Sequence, residues 1–229
     1  MDQGIELVEL SALTAPGVEI ALIDIERHPH LEDAADQFLE PDERARFVTL
    51  RSPHRRREWL AARVCAKLLA ARKGLIAGPH EARIAQDRSG RPALVDPAGR
   101  AVTGITDCSL SHKGRFACAC LGRPPIARVG IDIETVSPRL RSLRDAFVNP
   151  SDAMEFHVDT DADLALLWSL KEAYSKAIGA GLHIGLKNIT SNRNPATNSL
   201  RVRTLAGRVA HARHVVYSNC VVAVCFIAQ

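Results

Sequence analysis

The chain has 229 residues, of which 46% are hydrophobic and only 4% aromatic, and its formal net charge is +4 at pH 7. This length can bury a substantial core in one large domain or two smaller lobes, and the composition excludes a disordered or low-complexity chain. The mild positive charge favours an anionic ligand or an acidic partner without requiring nucleic acid.

The first half of the chain predicts two early strands, three helices and a later strand. IELVEL and VEIALIDI read as strands, and the apolar residues of 31–39 recur at helical spacing. Pro41 begins a second helix, while Ser52 and Gly74 mark the start and the stop of a third. Turn signals at DRSGRP and DPAGR then precede the strand RFACACLG.

The second half repeats this order in outline. GRPPIARVG interrupts regular structure, so we place a lobe boundary at Ile126, before the strand VGIDIE. A long helix is predicted over residues 161–178, followed by strands that end in CVVAVCFIA. Helix followed by antiparallel strands, twice, predicts an α+β fold of two pseudo-duplicated lobes, 1–126 and 127–229, each a helix packed on a small, mainly antiparallel sheet.

Cysteine spacing and the two termini bear on location. The six cysteines form no CxxC pair and no zinc-ligand pattern, which favours reduced thiols in a core. The start MDQGIELVEL lacks the features of a signal peptide, and the uncharged run VVYSNCVVAVCFIAQ is too short to span a bilayer as a helix. We therefore expect a cytoplasmic protein that does not enter the membrane.

VGIDIE places two carboxylates in an otherwise apolar strand. Strand alternation puts Gly130, Asp132 and Glu134 on one face and the Val and Ile side chains on the other. Like charges about 6 to 7 Å apart on one face repel each other unless a cation lies between them. The acidic face therefore predicts a bound cation.

A second polar set lies on the long helix. In LLWSLKEAYSKAIGAGL, Trp168, Glu172 and Lys176 are spaced by four beside the apolar stripe. An isolated Glu-Lys pair at this spacing is usually a solvated surface pair. Combined with the acidic strand, however, three carboxylates could converge on Mg²⁺, which takes carboxylate, water and phosphate oxygens as ligands.

These segments resemble a known family. VGIDIE and WSLKEAYSKAIGAGL resemble the two signature motifs of the 4'-phosphopantetheinyl transferase superfamily, (V/I)G(I/V)D(I/V)E and (F/W)SxKExxxK. SGRPAL resembles its GKP segment with Arg91 for lysine, and SLSHKG resembles its SHS-type loop with Lys113 where a small residue is commoner. The resemblance runs from about Arg44 to Leu182, and the length favours the large, two-lobed Sfp-type, which implies a monomer with one active site between its lobes.

The resemblance implies a reaction, and it assigns the metal-binding and catalytic roles to residues of the C-terminal lobe. Asp132, Glu134 and Glu172 would hold Mg²⁺ against the pyrophosphate of coenzyme A, the co-substrate. A serine of an apo carrier protein, an acidic helical domain, would attack the phosphorus that bears pantetheine, and 3',5'-ADP would leave. Glu172 would accept the serine proton, directly or through water, and Lys176 would neutralise charge on the transferring phosphate.

The resemblance assigns most coenzyme A contacts to the N-terminal lobe. The basic run HRRRE is otherwise typical of a solvated helix start. The implied contacts are Arg46 and Arg57 for the 3'-phosphate, Gly90 and Arg91 against the adenine nucleotide, Ser111 and His112 on the phosphates, and Lys176.

Two other functions fit parts of the same pattern. A Mg²⁺-dependent nuclease also uses Asp, Glu and Lys, but here the Glu and Lys lie four apart on a helix and no aromatic-basic interleaving marks a nucleic-acid groove. A non-catalytic module that only binds coenzyme A would keep the pocket, yet the sequence shows no lost ligand to support it. We therefore expect no nucleic-acid partner.

Overall fold

The computed structural model describes residues 4–87, 90–194 and 199–229. Arg88 and Ser89, in the predicted turn DRSGRP, lie outside the described residues. Within the described ranges, no helix combines the length and apolar character needed to cross a bilayer.

The N-terminal half contains one antiparallel sheet, a separate hairpin and three helices. Its strands are β1 Val8–Glu9, β2 Val18–Asp24, β3 Arg83–Gln86, β4 Pro92–Val95, β5 Asp107–Lys113 and β6 Phe116–Gly122. Its helices are α1 Ala35–Phe38, α2 Pro41–Val48 and α3 Pro53–Arg72. The sheet has the order β1-β2-β6-β5, and β3 pairs with β4.

The C-terminal half contains a second antiparallel sheet and a second long helix. Its elements are β7 Ile126–Thr135, α4 Arg139–Phe147, α5 Pro150–Glu155, α6 Asp161–Ile178, β8 Ile189–Arg193, β9 Leu200–Thr204, β10 Ala210–Tyr217 and β11 Cys220–Ala228. The sheet has the order β7-β11-β10-β9-β8. The predicted α+β fold is confirmed.

Both long helices have the predicted ends. The Ser52 hydroxyl caps α3 by accepting the Arg55 N–H at 3.4 Å. Helix α6 ends at Gly179, whose left-handed backbone with φ of 72° closes the helix without the steric cost that a side chain would add. Because caps and apolar stripe agree, local sequence is sufficient to define these two helices.

The helix predicted over residues 31–39 is wrong in extent. Only Ala35–Phe38 is helical, and the residues before it form successive turns, with the Leu31 N–H on the His28 carbonyl and the Ala34 N–H on the Leu31 carbonyl. Ala34, at the helix start, provides no side-chain cap. The strand predicted for IELVEL likewise shortens to Val8–Glu9.

The two halves share short sequence segments in addition to the same order of helices and strands. IDIE occurs at 23–26 and again at 131–134, and FLEPDE at 38–43 corresponds to FVNPSD at 147–152. In the sheets, the order β2-β6-β5 of the first half corresponds to β7-β11-β10 of the second. Each half therefore contains the same strand, turn and helix unit.

A buried lysine in α3 ties this unit together in the first half. The Lys67 side chain is fully buried, and its ammonium group donates to the Phe38 carbonyl and to the Glu43 carboxylate. The other Glu43 oxygen accepts the Ile84 N–H at 2.9 Å. The lysine thereby joins α3, the start of α2 and the β3–β4 hairpin.

A lysine in α6 makes the same set of contacts in the second half. The fully buried Lys171 donates to the Phe147 carbonyl and, at 2.5 Å, to Asp152. Asp152 accepts the Ser191 N–H at 3.1 Å with its other oxygen. The two lobes are therefore pseudo-duplicates, and we keep Ile126, the first residue of β7, as the proposed boundary.

Strand β7 lies between the two lobes and has the predicted faces. Val129, Ile131 and Ile133 pack into the apolar core between the two sheets. Gly130 faces α6 so closely that a Cβ added to it would lie 1.9 Å from the Ala173 carbonyl oxygen. The face that carries Asp132 and Glu134 is thus the face against α6.

Gly130→Ala is expected to destabilise the fold by about 1–3 kcal/mol, because the added methyl group must push α6 away from β7. Urea denaturation followed by circular dichroism measures this change. Gly74→Ala is the matched control, since nothing lies within 4 Å of its added Cβ and only its φ of 67° disfavours a side chain. Equal midpoints for Gly130→Ala and the natural chain would contradict the close packing.

Candidate active site

The buried Asp132 carboxylate is the centre of a hydrogen-bonded group on β7. Its Oδ1 accepts from the Ser111 hydroxyl on β5 at 2.9 Å and from the Lys176 ammonium on α6 at 2.8 Å. Lys176 Nζ also donates to the Ser111 hydroxyl at 2.9 Å and to the Ile131 carbonyl at 3.0 Å. Lys176 therefore points at the acidic face, as the helix spacing predicts.

Glu134, two residues along the same face, has a different cationic partner. Lys113 Nζ, at the end of β5, lies 2.7 Å from Glu134 Oε1 and 3.0 Å from Oε2. The Glu134 side chain is 13% exposed and the Lys113 side chain 33%. Each strand carboxylate thus has one lysine beside it.

Glu172 is half-buried on α6, one helical turn before Lys176. Among the described residues it makes no hydrogen bond or ion pair. Burial raises its pKa, the carboxylates of Asp132 and Glu134 raise it further, and Lys176 partly opposes them. These interactions indicate that Glu172 lies near both strand carboxylates. Within the described residues, Asp132 and Glu134 each pair with a lysine, whereas Glu172 does not.

The donor set fits a hard divalent cation in its chemistry. Asp132, Glu134 and Glu172 offer only oxygen ligands, and a cation beside Glu172 would relieve the repulsion that raises its pKa. In the described part of the chain, however, no three His, Cys, Asp or Glu side chains are arranged to hold a metal ion. The lysines occupy the inner positions instead, so metal binding would require local side-chain rearrangement.

A cavity of about 330 Å³ lies next to these residues, at the junction of the lobes. Four predicted coenzyme A contacts line it, namely Gly90, Arg91, His112 and Lys176. Ser111 adjoins it through its hydrogen bond to Lys176. The structure thus brings five of the seven predicted contacts together.

His112 is held by a residue that the sequence analysis missed. Its Nδ1 lies 3.3 Å from Glu58 on α3, and Glu58 also lies 3.3 Å from the exposed His54. Burial lowers the pKa of His112, Lys176 and Arg55 lower it further, and Glu58 opposes them. Glu58 and His54 are four apart on α3, a spacing that could have revealed the pair.

Arg91 joins the two lobes in addition to lining the cavity. Its guanidinium binds both oxygens of Asp107 and donates to the carbonyls of Val129 and Lys176. Asp107 in turn accepts the Val129 N–H at 2.7 Å. Within the described residues these bonds use four of the five guanidinium N–H groups.

Arg46 and Arg57 lie outside the cavity lining. Arg46 is exposed, and the only hydrogen bond of its side chain within the described residues is a long one of 3.5 Å to Thr49. Arg57 donates to the Ile25 carbonyl at 3.0 Å and lines a separate cavity of about 400 Å³ with Arg115. Their predicted role on the 3'-phosphate stays a prediction.

Trp59 and Arg63, one turn apart on α3, also line the cavity and were not predicted. The Arg63 guanidinium stacks on Trp59, with its central carbon 3.3 Å from the ring centroid. Arg63 Nε is buried with no hydrogen-bond partner among the described residues, and burial lowers the pKa of Arg63 to about 10. The i,i+4 spacing of Trp59 and Arg63 is the signal that could have found them.

Comparison with known proteins finds one matching family. Residues 128–225 match the family model of the 4'-phosphopantetheinyl transferase superfamily. This range contains α6 and all but the first two residues of β7, which together carry the three carboxylates and Lys176. This part of the chain is therefore similar to the 4'-phosphopantetheinyl transferase superfamily.

Three curated relatives are similar to this chain over part of its length. A Synechocystis protein provisionally named a 4'-phosphopantetheinyl transferase is 26% identical over 69% of this chain and 64% of its own. The 4'-phosphopantetheinyl transferase of Bacillus subtilis is 34% identical over 36% of this chain and 37% of its own. A Thraustochytrium phosphopantetheinyl transferase is 28% identical over 65% of this chain and 55% of its own. The chain thus spans less than two thirds of each of these relatives.

Among solved structures, the holo-[acyl-carrier-protein] synthase of Helicobacter pylori in complex with coenzyme A is 20% identical over 44% of this chain and 99% of its own, with a TM-score of 0.38. The corresponding Bacillus anthracis synthase is 18% identical over 45% of this chain and 97% of its own, with a TM-score of 0.39.

Proposed function

We propose that this chain transfers 4'-phosphopantetheine from coenzyme A to a serine of an apo carrier protein in a Mg²⁺-dependent reaction that releases 3',5'-ADP. The observation that carries the proposal is the Asp132, Ser111 and Lys176 group beside Glu172, next to a cavity lined by His112. The match to the superfamily over residues 128–225 and the names of the relatives support the same activity.

In this proposal Asp132, Glu134 and Glu172 hold Mg²⁺. When bound, the ion would supply positive charge to the pyrophosphate oxygens of coenzyme A. Lys176 lies 2.8 Å from Asp132 and lines the cavity, so its ammonium group can neutralise charge that develops on the transferring phosphate. Glu172, on the same acidic face, would accept the proton of the attacking serine, directly or through water.

The N-terminal lobe would bind the nucleotide end of coenzyme A. His112 and Arg91 line the cavity, and Gly90 allows the ligand close approach because it has no side chain. Arg46 and Arg57 remain our proposed contacts for the 3'-phosphate, outside this cavity. The nucleotide would therefore extend along α3 from the lobe junction.

The carrier protein would approach from the other side of the acidic face. A groove of about 220 Å³ there is lined by Lys113, Glu134, Thr135, Ser137, Arg139, Leu140, Leu143 and Trp168. Basic and apolar side chains together suit an acidic helical partner. We further propose a monomer, because both lobes are in one chain, and a cytoplasmic site of action, which the six buried cysteines without disulfides support.

Mass spectrometry of a panel of apo carrier proteins tests the proposal. After incubation with the chain, coenzyme A and Mg²⁺, at least one carrier should gain the mass of phosphopantetheine, and EDTA should prevent the gain. Tight coenzyme A binding with no carrier modified would instead indicate a non-catalytic binding module. Cleavage of duplex DNA that is lost in Asp132→Ala would indicate a nuclease.

A further inference from the structure

The turn between β5 and β6 contacts the acidic strand of both lobes. Lys113, before Gly114, pairs with Glu134 of the C-terminal lobe. Arg115, after it, pairs with Asp24 and, at 2.9 Å, with Glu26 of the N-terminal lobe. The two cations therefore neutralise corresponding carboxylates, because both acidic pairs belong to the repeated IDIE segment.

In the N-terminal copy, the carboxylates of Asp24 and Glu26 form ion pairs with Arg115. Arg115 binds both oxygens of Asp24, and Arg27 lies 3.7 Å from the same carboxylate. Burial alone would raise the pKa of Asp24, but hydrogen bonds and the charge of Arg115 outweigh it and lower the pKa. The residue that follows the buried Lys67 is Leu68, where the C-terminal copy has Glu172 after Lys171. This copy is thus a closed ion-pair cluster without a third carboxylate.

The C-terminal copy differs in both respects. It has the third carboxylate, Glu172, and its turn cation is a lysine, whose single ammonium group on a flexible stem can leave its partner more readily than a bidentate arginine. Lys113 holds Glu134 through two contacts of 2.7 and 3.0 Å while a third of its side chain remains exposed. It can therefore release Glu134 and turn towards solvent.

Release of Glu134 by Lys113 would change the net charge of the acidic face. Asp132, Glu134 and Glu172 contribute three negative charges when ionised, and Lys176 and Lys113 contribute two positive ones. Without Lys113 the net local charge changes from −1 to −2, which favours a divalent cation. The lysine also occupies the Glu134 oxygens that a cation would need.

We propose that Lys113 is an internal counter-ion that holds Glu134 in the metal-free chain and competes with the divalent cation for it, so that this residue sets the metal affinity of the site. The proposal rests on the metal role given to Glu134 in the proposed function. It adds that the lysine weakens metal binding and stabilises the metal-free face.

Calorimetric titration of the whole chain with Mn²⁺ tests this competition. Lys113→Ala and Lys113→Ser are expected to bind Mn²⁺ about tenfold more tightly than the natural chain, because they remove one positive charge and free Glu134. Lys187→Ala is the matched control, since it removes the same charge from an exposed position in the C-terminal lobe, which carries Glu134. Its affinity should equal that of the natural chain.

Thermal unfolding in EDTA and in saturating Mn²⁺ provides a second readout. Both Lys113 variants should melt below the natural chain in EDTA, and Mn²⁺ should remove most of that difference. Unchanged Mn²⁺ affinity in both Lys113 variants, with affinity lost in Glu134→Gln, would overturn the competition and leave the proposed function intact. Absence of saturable Mn²⁺ binding in all variants would overturn the metal role itself.

Discussion

Glu172→Gln is expected to lower the rate of phosphopantetheine transfer by about 100- to 10,000-fold. The change keeps the size of the side chain but removes both the proton acceptor and one negative charge that a cation would need. The partial burial and raised pKa of Glu172 come from the face it shares with Asp132 and Glu134. Initial rates of carrier modification, followed by mass spectrometry, measure the loss.

Glu26→Gln is the control for a general effect of carboxylate removal. Glu26 occupies the Glu134 position of the N-terminal IDIE copy, and it pairs with Arg115 outside the lining of the 330 Å³ cavity. We expect Glu26→Gln to retain near-natural rates, whereas Glu134→Gln loses activity. Near-natural turnover in Glu172→Gln with a normal circular dichroism spectrum would show that the proton goes elsewhere.

Asp152→Ala is expected to lower the free energy of unfolding by about 3–5 kcal/mol. The substitution leaves the Lys171 ammonium without its carboxylate in a fully buried position, and it also removes the acceptor of the Ser191 N–H. Guanidinium denaturation measures the change. Glu43→Ala removes the corresponding carboxylate of Lys67 in the other lobe and should cost a similar amount.

The double substitution of Lys171→Met with Asp152→Leu tests whether Asp152→Ala loses stability because it leaves a buried charge unpaired or because it removes packing contacts. Because it removes both charges, it should restore much of the stability that Asp152→Ala loses. A change below about 1 kcal/mol for Asp152→Ala would show that Lys171 reaches water or another acceptor once its partner is gone. That result would contradict the fully buried pairing seen here.

Local periodicity was enough to predict the elements that position the site. Helix α6 has an apolar stripe, a capping threonine and a terminal glycine, and β7 alternates strictly, so the faces of both follow from sequence. The direction of Lys176 towards Asp132 follows from the same helical spacing. Short elements such as α1 could not be predicted, because tertiary packing and turns, more than propensity, decide their length.

The sequence patterns did not predict which side chains from distant segments pair with the site residues. Nothing local indicates that Lys113 holds Glu134, or that Arg91 uses most of its donors on Asp107 and the backbone. The helix spacing of Trp59 and Arg63 was visible but resembles an ordinary helix surface. The repeated IDIE segment was also visible in the sequence, but the pairing of its N-terminal copy with Arg115 was not.

Anomalous diffraction from a crystal of the chain with Mn²⁺ and coenzyme A tests the central claim most directly. We expect one Mn²⁺ peak within about 2.5 Å of oxygens from Asp132, Glu134 and Glu172, with Lys113 turned away from Glu134. A nucleotide-bound Mn²⁺ distant from these carboxylates, with Lys113 still on Glu134, would contradict the account.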